Sequence, residues 1–365
     1  MIRERVDTGH TAYDIVIGTG LLARTGEFLQ ELNVKASSRH LIITDTNVQA
    51  SGHLAPVQAA LAAAGYRAEV FVIPAGEASK RLALAEEAFE FAYDQGLDRH
   101  SVILALGGGV VGDFAGFVAA AYMRGIDFVQ LPTTMLAQDS AVGGKVAVNL
   151  SRAKNIIGAF HQPLAVLYDI ETLRTLPLRE RRGGYAEAIK HGIIRDAEFF
   201  AWMKAHTGAV LQNDERALPE LLARSCRIKA QVVSADEREQ GLRAILNFGH
   251  TLGHAVETLA GYGQLGHGEA VAIGMVAAAE LSVRLGYCAA ETAAEVEAMV
   301  ELAGLPTRIP PGLDTDELIA SMQKDKKATG GTLTFVLLRR IGEVVIVKDV
   351  PHEKVRHVIA ARRER

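Results

Sequence analysis

Three histidines carry the strongest chemical signal in this 365-residue chain. His250 and His254, in NFGHTLGHAVE, are four residues apart, so a helix would place both rings on one face, able to converge on a single point. His267, in GHGEAV, opens the next helical segment, with glycines between that permit close backbone approach. Such a set suits a metal ion or a substrate; the plainer alternative is a polar patch on a helix face. A catalytic zinc commonly takes three protein ligands and keeps a fourth position open, so an oxygen ligand is expected from elsewhere. Glu187 in GGYAEAIKHG is the candidate, with Lys190 and His191 following on the same helical face. A surface Glu–Lys pair is the competing reading there.

A second group of residues could hold a nucleotide. After the apolar run SVILAL comes GGGVVGD, where Gly107, Gly109 and Gly112 satisfy G-x-G-x-x-G ahead of a helical segment. Positions without side chains let backbone N–H groups approach a pyrophosphate at a helix N-terminus, where the dipole favours anions. A tight turn uses the same glycines, but the order strand, glycines, helix favours the nucleotide. Asp45, in ITDTNV, is either a ribose acceptor or an ordinary helix N-cap. PAGEASK offers Glu77 and Lys80, an acceptor and a cation, or simply surface charge. Further cations and amides gather in four short strings: Lys145, Lys154 and Asn155; Lys229; Arg243 and Asn247; Lys326 and Lys327. Beside a cleft they would bind a substrate with two anionic groups. On a solvated face they would carry no such meaning.

The elements that must position these groups fall into two halves. Short β-rich runs (Tyr13 to Ile17, His40 to Thr44, Glu69 to Ile73, Val102 to Leu106, Phe128 to Leu131, Ala165 to Ile170) alternate with helical segments such as Ser51 to Ala64. That alternation predicts βαβ units and a mainly parallel sheet. Gly65 and Gly96 each follow a helical run, as left-handed C-caps do. After ETLRTLP the period becomes helical from about Arg179 to Gly304, with β signals only at Thr332 to Leu338 and Val344 to Val347. The expectation is a Rossmann-like α/β nucleotide-binding domain over residues 1–174 and a mainly α-helical metal- and substrate-binding domain over 175–365.

Bulk properties narrow the classes. The composition, 49% hydrophobic and 22% charged, is that of a globular protein long enough for two cores. A net charge of -4 argues against a general nucleic-acid binder, so any phosphate should be recognised locally. The start, MIRERVDTGH, lacks a following apolar run, and Ala270 to Leu285 is interrupted by Glu280 and Arg284 and reads as a buried core helix. No membrane association is expected, and the protein reads as cytoplasmic. Two distant cysteines, Cys226 and Cys288, suit a reducing compartment and are taken as packing residues.

The strings ALGGGVVGDFAGFVAAAYMRG, PTTMLAQ, VGGK, KNIIGAFHQP, YAEAIKHG, ADEREQGLRAILNFGHTLGHAVE, HGEAVAIGM and DKK occur in an order and spacing that resembles the 3-dehydroquinate synthases, members of the sugar-phosphate cyclase superfamily, over nearly the whole chain. The resemblance implies metal ligands Glu187, His250 and His267, with His254 turned toward substrate instead. It implies NAD contacts from Asp45, Asn47, Glu77, Lys80, Gly108, Gly109, Val110, Asp113, Thr133, Thr134 and Asp139, with Lys154 beside them. Substrate contacts would be Lys145, Asn155, Lys190, Lys229, Arg243, Asn247, His254 and Lys326, with Arg124 supplied across a homodimer. The cofactors implied are NAD and one divalent metal, zinc or alternatively cobalt.

The reaction so implied converts a phosphorylated seven-carbon sugar acid to a carbocycle by transient oxidation at C5, phosphate elimination, reduction and intramolecular aldol closure. Lys145, Asn155 and Lys326 would grip the phosphate; Lys229 and Arg243 would bind the carboxylate. Two departures from the family pattern stand out. Ala75 replaces the acidic residue of the usual DGE, and PTTMLAQDSA is one residue shorter than the usual PTTLLAQVDSS. A one-residue deletion turns a helix by about 100°, which bears on where Asp139 points. The competing readings are a related cyclase for a non-carboxylate sugar phosphate, a metal-dependent polyol dehydrogenase of similar two-domain plan, and a non-catalytic protein that retains the fold.

Overall fold

The computed structural model describes residues 1–151, 153–261, 263–324 and 333–364. The chain forms two compact units, one of Met1–Pro177 with Lys229–Arg238, the other of Leu178–Ile228 with Glu239–Arg365.

The first unit carries strands β1 (Ile2–Asp7), β2 (Ala12–Gly18), β3 (Arg39–Asp45), β4 (Arg67–Ile73), β5 (Val102–Gly107), β6 (Asp127–Pro132), β7 (Lys145–Leu150), β8 (Ala153–Phe160) and β9 (Ala165–Asp169). Its helices are α1 (Thr25–Glu31), α2 (Thr46–Ala50), α3 (Leu54–Ala63), α4 (Leu82–Asp94), α5 (Gly109–Ala121) and α6 (Ala137–Ser140). Seven strands form one sheet in the order β1-β2-β9-β6-β5-β3-β4. Only β1 runs antiparallel to its neighbour; the other pairs are parallel, so the α/β expectation holds.

The side-chain period of two explains the packing. Leu41, Ile43, Ile103, Ala105 and Phe128 join a core with Leu84 and Ala88 of α4 and Phe114 and Val118 of α5. Their alternates Ile42, Val102, Leu104 and Val129 join a second core with Phe28 and Leu29 of α1 and Val57 and Leu61 of α3. With helices on both faces, β5 and β9 are buried along their whole length and read in sequence as unbroken apolar runs. Gly65 and Gly96 do end helices in the left-handed region, at φ 83° and 73°. At the first, Tyr66 N–H donates to the Leu61 carbonyl and Gly65 N–H to that of Ala62, the paired bonds of a Schellman motif.

Three strands carry no expectation from the sequence. The first, β1, is a charged edge strand in which only Val6 is buried. The other two, β7 and β8, form an antiparallel ribbon where the sequence reading saw only gathered cations and amides. It is entered through Gly143 and Gly144, at φ 97° and 64°, and a Cβ on Gly144 would lie 2.7 Å from Gln162.

In the second unit α7 (Leu178–Arg195), α8 (Ala197–Leu211), α9 (Ala217–Ala235), α10 (His250–Ala260), α11 (His267–Arg284), α12 (Ala290–Leu302), α13 (Thr315–Lys324) and α14 (His352–Ala361) accompany a hairpin of β10 (Phe335–Arg340) and β11 (Glu343–Val347). From Lys229 onward α9 groups with the first unit, a return that a linear boundary does not anticipate. The helix expected over 270–285 is buried on nearly every side within α11. Among the described residues no helix is long and apolar enough to cross a membrane. Both cysteines are free thiols, Cys226 buried and Cys288 half-buried.

Candidate active site

Glycines bring three helices of the second unit into backbone contact. A Cβ on Gly268 of α11 would stand 2.0 Å from the Gly183 carbonyl oxygen of α7, and one on Gly274 would stand 1.9 Å from that of Gly249, just ahead of α10. Because no side chain intervenes, Glu187 of α7, His250 of α10 and His267 of α11 reach one place. One ligand atom from each lies within 4.8 Å of the other two. Glu187 Oε1 is 3.5 Å from His267 Nε2 and 3.7 Å from His250 Nε2. A tetrahedral ion with bonds of about 2.0–2.1 Å sets its ligand atoms about 3.3 Å apart, so the two carboxylate–imidazole distances lie only slightly beyond the spacing zinc would impose.

Charge around the triad is arranged for a cation. Glu187 and Lys190 are both 1% exposed and paired, Lys190 Nζ donating to Glu187 Oε2. Burial, reinforced by Lys190 and opposed by Glu187, pushes the His250 pKa well below the usual histidine range, which leaves its ring neutral, as a metal ligand must be. Burial lowers that of His267 too, but hydrogen bonds to Glu187 and Glu257 overcome it and raise the value to about 10. In metal-free protein a proton thus occupies ground that a cation would take. His254 stands beside the triad, its ring centroid 5.1 Å from that of His250 and 5.9 Å from that of His267. Arg243, 2% exposed, lies in the 3₁₀ turn Leu242–Asn247. Asn247 Nδ2 donates to Glu239 Oε1 at 2.7 Å, and Glu239 lies in the left-handed region at φ 56°.

In the first unit the glycines after β5 serve packing as well as turning. A Cβ on Gly108 would lie 2.7 Å from Thr134 Cγ2, one on Gly109 3.0 Å from Ser140 Oγ, and one on Gly112 2.8 Å from Gln130 Oε1. Gly108 is the N-cap of α5 and supplies no side-chain cap to the first-turn N–H groups of this 13-residue helix, an arrangement that suits a pyrophosphate.

Beside it, Lys80 Nζ is almost wholly buried, 2.6 Å from Asp113 Oδ2, 2.5 Å from Asn155 Oδ1 and 3.7 Å from Glu77 Oε1. Burial opposes charge on Lys80, but Asp113 and Glu77 outweigh it and hold the ammonium above the ordinary lysine range. Asn155, at φ 54°, turns its carbonyl toward that cation, so its NH₂ group is directed away from Lys80.

The remaining expected residues are distributed as follows. Asp139, in the first turn of α6, pairs with Lys229, Nζ to Oδ2 being 2.9 Å, and Lys229 also donates to the Asp139 carbonyl. A carboxylate partner for Lys229 within the protein was not foreseen. Asp45 accepts from Val48 N–H at 2.9 Å and so does cap α2, the plainer of its two readings. Asn47 is exposed on α2, and Ala75 N–H donates to Thr46 Oγ1 nearby. Thr133 is buried and its N–H donates to the Gly107 carbonyl; the Thr134 carbonyl accepts from Tyr168. Val110 is half-buried in the first turn of α5, Lys145 is exposed at the start of β7, and Lys154 is half-buried on β8. Arg124 is exposed in a strained turn at φ 70°. Lys326 and Lys327 lie outside the described residues.

Three residues escaped the sequence reading. Asn149 of β7 ties Glu77, Lys80 and Asn155 together, and nothing in a strand-like string marks it. Glu239 holds Asn247 from a position visible only as part of ADEREQGLR. Glu257 accepts from His267 Nδ1 at 3.0 Å. It lies seven residues after His250, two helical turns along the same face, a spacing that could have flagged it.

Residues 70–183 match the family described as 3-dehydroquinate synthase N-terminal, and residues 184–328 match 3-dehydroquinate synthase C-terminal. A 3-dehydroquinate synthase of Desulforamulus reducens is 48% identical over 98% of this chain and 99% of its own. Among solved structures, 2-epi-5-epi-valiolone synthase from Streptomyces hygroscopicus, with NAD+ and Zn2+ bound, is 29% identical with a TM-score of 0.87 over 96% of each chain. A 2-deoxy-scyllo-inosose synthase complexed with carbaglucose-6-phosphate, NAD+ and Co2+ shares the fold at 24% identity, with a TM-score of 0.90 over 99% of this chain and 100% of that one. The chain belongs to the 3-dehydroquinate synthase family.

Proposed function

We infer that this protein is a lyase that converts 3-deoxy-D-arabino-heptulosonate 7-phosphate to 3-dehydroquinate and phosphate. The observation that carries this is the convergence of Glu187, His250 and His267, in a chain whose full-length relatives are 3-dehydroquinate synthases. The greater identity to those enzymes, 48% against 29% for the valiolone synthase, favours the sugar acid over a neutral sugar phosphate. Transient oxidation at C5 and its reversal require a hydride carrier and a Lewis acid on the reacting oxygen, which bound NAD and a divalent ion, zinc or cobalt, supply.

The first unit is assigned the dinucleotide. The uncapped α5 N-terminus receives the pyrophosphate, with Glu77, Lys80, Asp113 and the Thr133–Thr134 turn around it, and Asp45, Asn47, Asp139 and Lys154 as further contacts. In the same unit Lys145 and the Asn155 amide bind the substrate phosphate, and Lys229 binds carboxylate. The second unit is assigned the metal, on Glu187, His250 and His267. There Lys190, His254 and Asn247 orient the substrate, and Arg243 grips the carboxylate through two parallel hydrogen bonds. Elimination is helped by the phosphate's own oxygens taking the adjacent proton, so positioning matters more than a strong protein base.

A homodimer with Arg124 reaching the partner's site is the corresponding assembly. Ile156 and Phe160 stand exposed on β8, and the Ile126 carbonyl that follows the Arg124 turn accepts from His161 at the end of that strand. A phosphorylated substrate does not cross a membrane unaided, which supports a cytoplasmic site of action.

The test is phosphate release from the sugar acid phosphate with catalytic NAD, set against sedoheptulose 7-phosphate. Preference for the neutral sugar, or stoichiometric NADH accumulating at 340 nm, would overturn the assignment.

A further inference from the structure

A metal-bound imidazole needs its non-ligating nitrogen held, because that bond fixes both tautomer and ring rotation. For His267 the holder is Glu257. The distance from His267 Nδ1 to Glu257 Oε2 is 3.0 Å, and an ionised carboxylate can only accept, so the proton resides on Nδ1. Nε2 is thereby the nitrogen left for a metal ion, on the side where Glu187 Oε1 stands 3.5 Å away. Glu257 is itself well covered, with its side chain 14% exposed, so the bond is shielded from competing water. The backbone of His267 is restrained independently. It is the first residue of α11, where Glu269 Oε2 accepts the N–H of the N-cap Gly266 at 2.7 Å and Arg179 is locked on Glu269 at 2.7 Å.

We propose that Glu257 is a positioning residue for the metal centre, holding His267 in the Nδ1-protonated tautomer with Nε2 aimed at the ion. This rests on the metal assignment above. Glu257 and His250 are on the same helix, so α10 both donates one ligand and orients another. A rotation of α10 would disturb two of the three ligands together.

The test uses the full chain stripped of metal, with zinc affinity measured by competition against a chromophoric chelator for wild type, Glu257→Ala and Glu257→Gln. Removing an outer carboxylate of this kind weakens metal binding by about ten- to a hundredfold. That loss is expected for Glu257→Ala, and a smaller one for Glu257→Gln, which keeps an acceptor oxygen without the charge. The visible cobalt(II) spectrum should shift in both variants, a readout that a purely structural role for Glu257 would not move. Should Glu257→Ala not fold, the glutamine variant carries the test alone. Wild-type zinc affinity and an unaltered cobalt spectrum in the folded variants would overturn the proposal. Failure of wild type itself to bind zinc would instead overturn the metal assignment, and this inference with it.

Discussion

Asn149 Nδ2 donates to Glu77 Oε1 at 2.7 Å, a bond between β7 and the segment before α4. The same side chain accepts the Asn155 N–H at 2.8 Å, while Asn149 N–H donates to the Lys80 carbonyl at 2.7 Å. One residue thus sets the position of an acid, a cation and a second amide.

Asn149→Asp would place a second carboxylate against Glu77 and should weaken NAD binding. Losing a hydrogen bond to a charged group costs about 1.5–3 kcal/mol, at least roughly tenfold in Kd. Titration calorimetry with NAD measures this directly, with zinc affinity as the control that should not move. An unchanged Kd for NAD would remove Asn149 from the cofactor site.

Chelation should abolish turnover, and zinc or cobalt should restore it, since a set of two histidines and one carboxylate accepts either ion. Glu187→Gln removes the negative ligand while leaving Lys190 buried beside it, so it should lose zinc affinity by more than roughly a hundredfold, an effect of about 3 kcal/mol. Full activity of a thoroughly metal-stripped sample would contradict both expectations.

Gly274→Ala should destabilise the second unit strongly. Its Cβ would meet the Gly249 carbonyl oxygen at 1.9 Å, and that obstacle is backbone, not a side chain that can swing aside. Overpacking of this kind costs about 1–3 kcal/mol and sometimes more. The melting temperature should fall by several degrees and zinc affinity with it, because α10 must retreat from α11. A variant that melts with wild type would show that the two helices tolerate separation.

His40 should give the stability a mild acid sensitivity. Buried in β3, it accepts the Val102 N–H on Nδ1 and hydrogen-bonds the Lys35 carbonyl through Nε2, each at 3.1 Å, an arrangement that only the neutral ring satisfies. Burial lowers its pKa, against weaker upward pulls from Lys35 and Asp98. The unfolded chain therefore takes up the proton first as pH falls. The contribution is complete above the unfolded value of 6.5 and is lost as pH drops toward the folded one. Melting followed from pH 7.5 to 5 should fall more steeply for wild type than for His40→Gln; parallel curves would sink the idea.

Much of this protein is local enough to be read along the chain. β5 and the glycines after it are contiguous, so strand, turn and helix follow from one string, and Gly65 and Gly96 mark helix ends because glycine takes the left-handed cap without a Cβ penalty. Family membership is likewise carried by short strings in fixed order. The ribbon of β7 and β8 was illegible because its cations and amides mask a strand pattern that only cross-strand pairing reveals.

The sequence alone determined the residue types of the centre and the two-part plan, since periodicity and contiguous motifs are properties of neighbouring positions. Helical spacing left His250 and His254 equivalent, one turn apart on one face, and only the family resemblance set His254 aside as a substrate contact. Tertiary structure decided between them by driving α7 and α11 together at Gly183 and Gly268, which sets Glu187 opposite His250 and His267 and leaves His254 outside that group. It also decided that Lys229 meets Asp139 and that Glu257 meets His267. These are meetings of residues distant in sequence or on different helices, and their distances come from how backbones pack, which no spacing along the chain encodes.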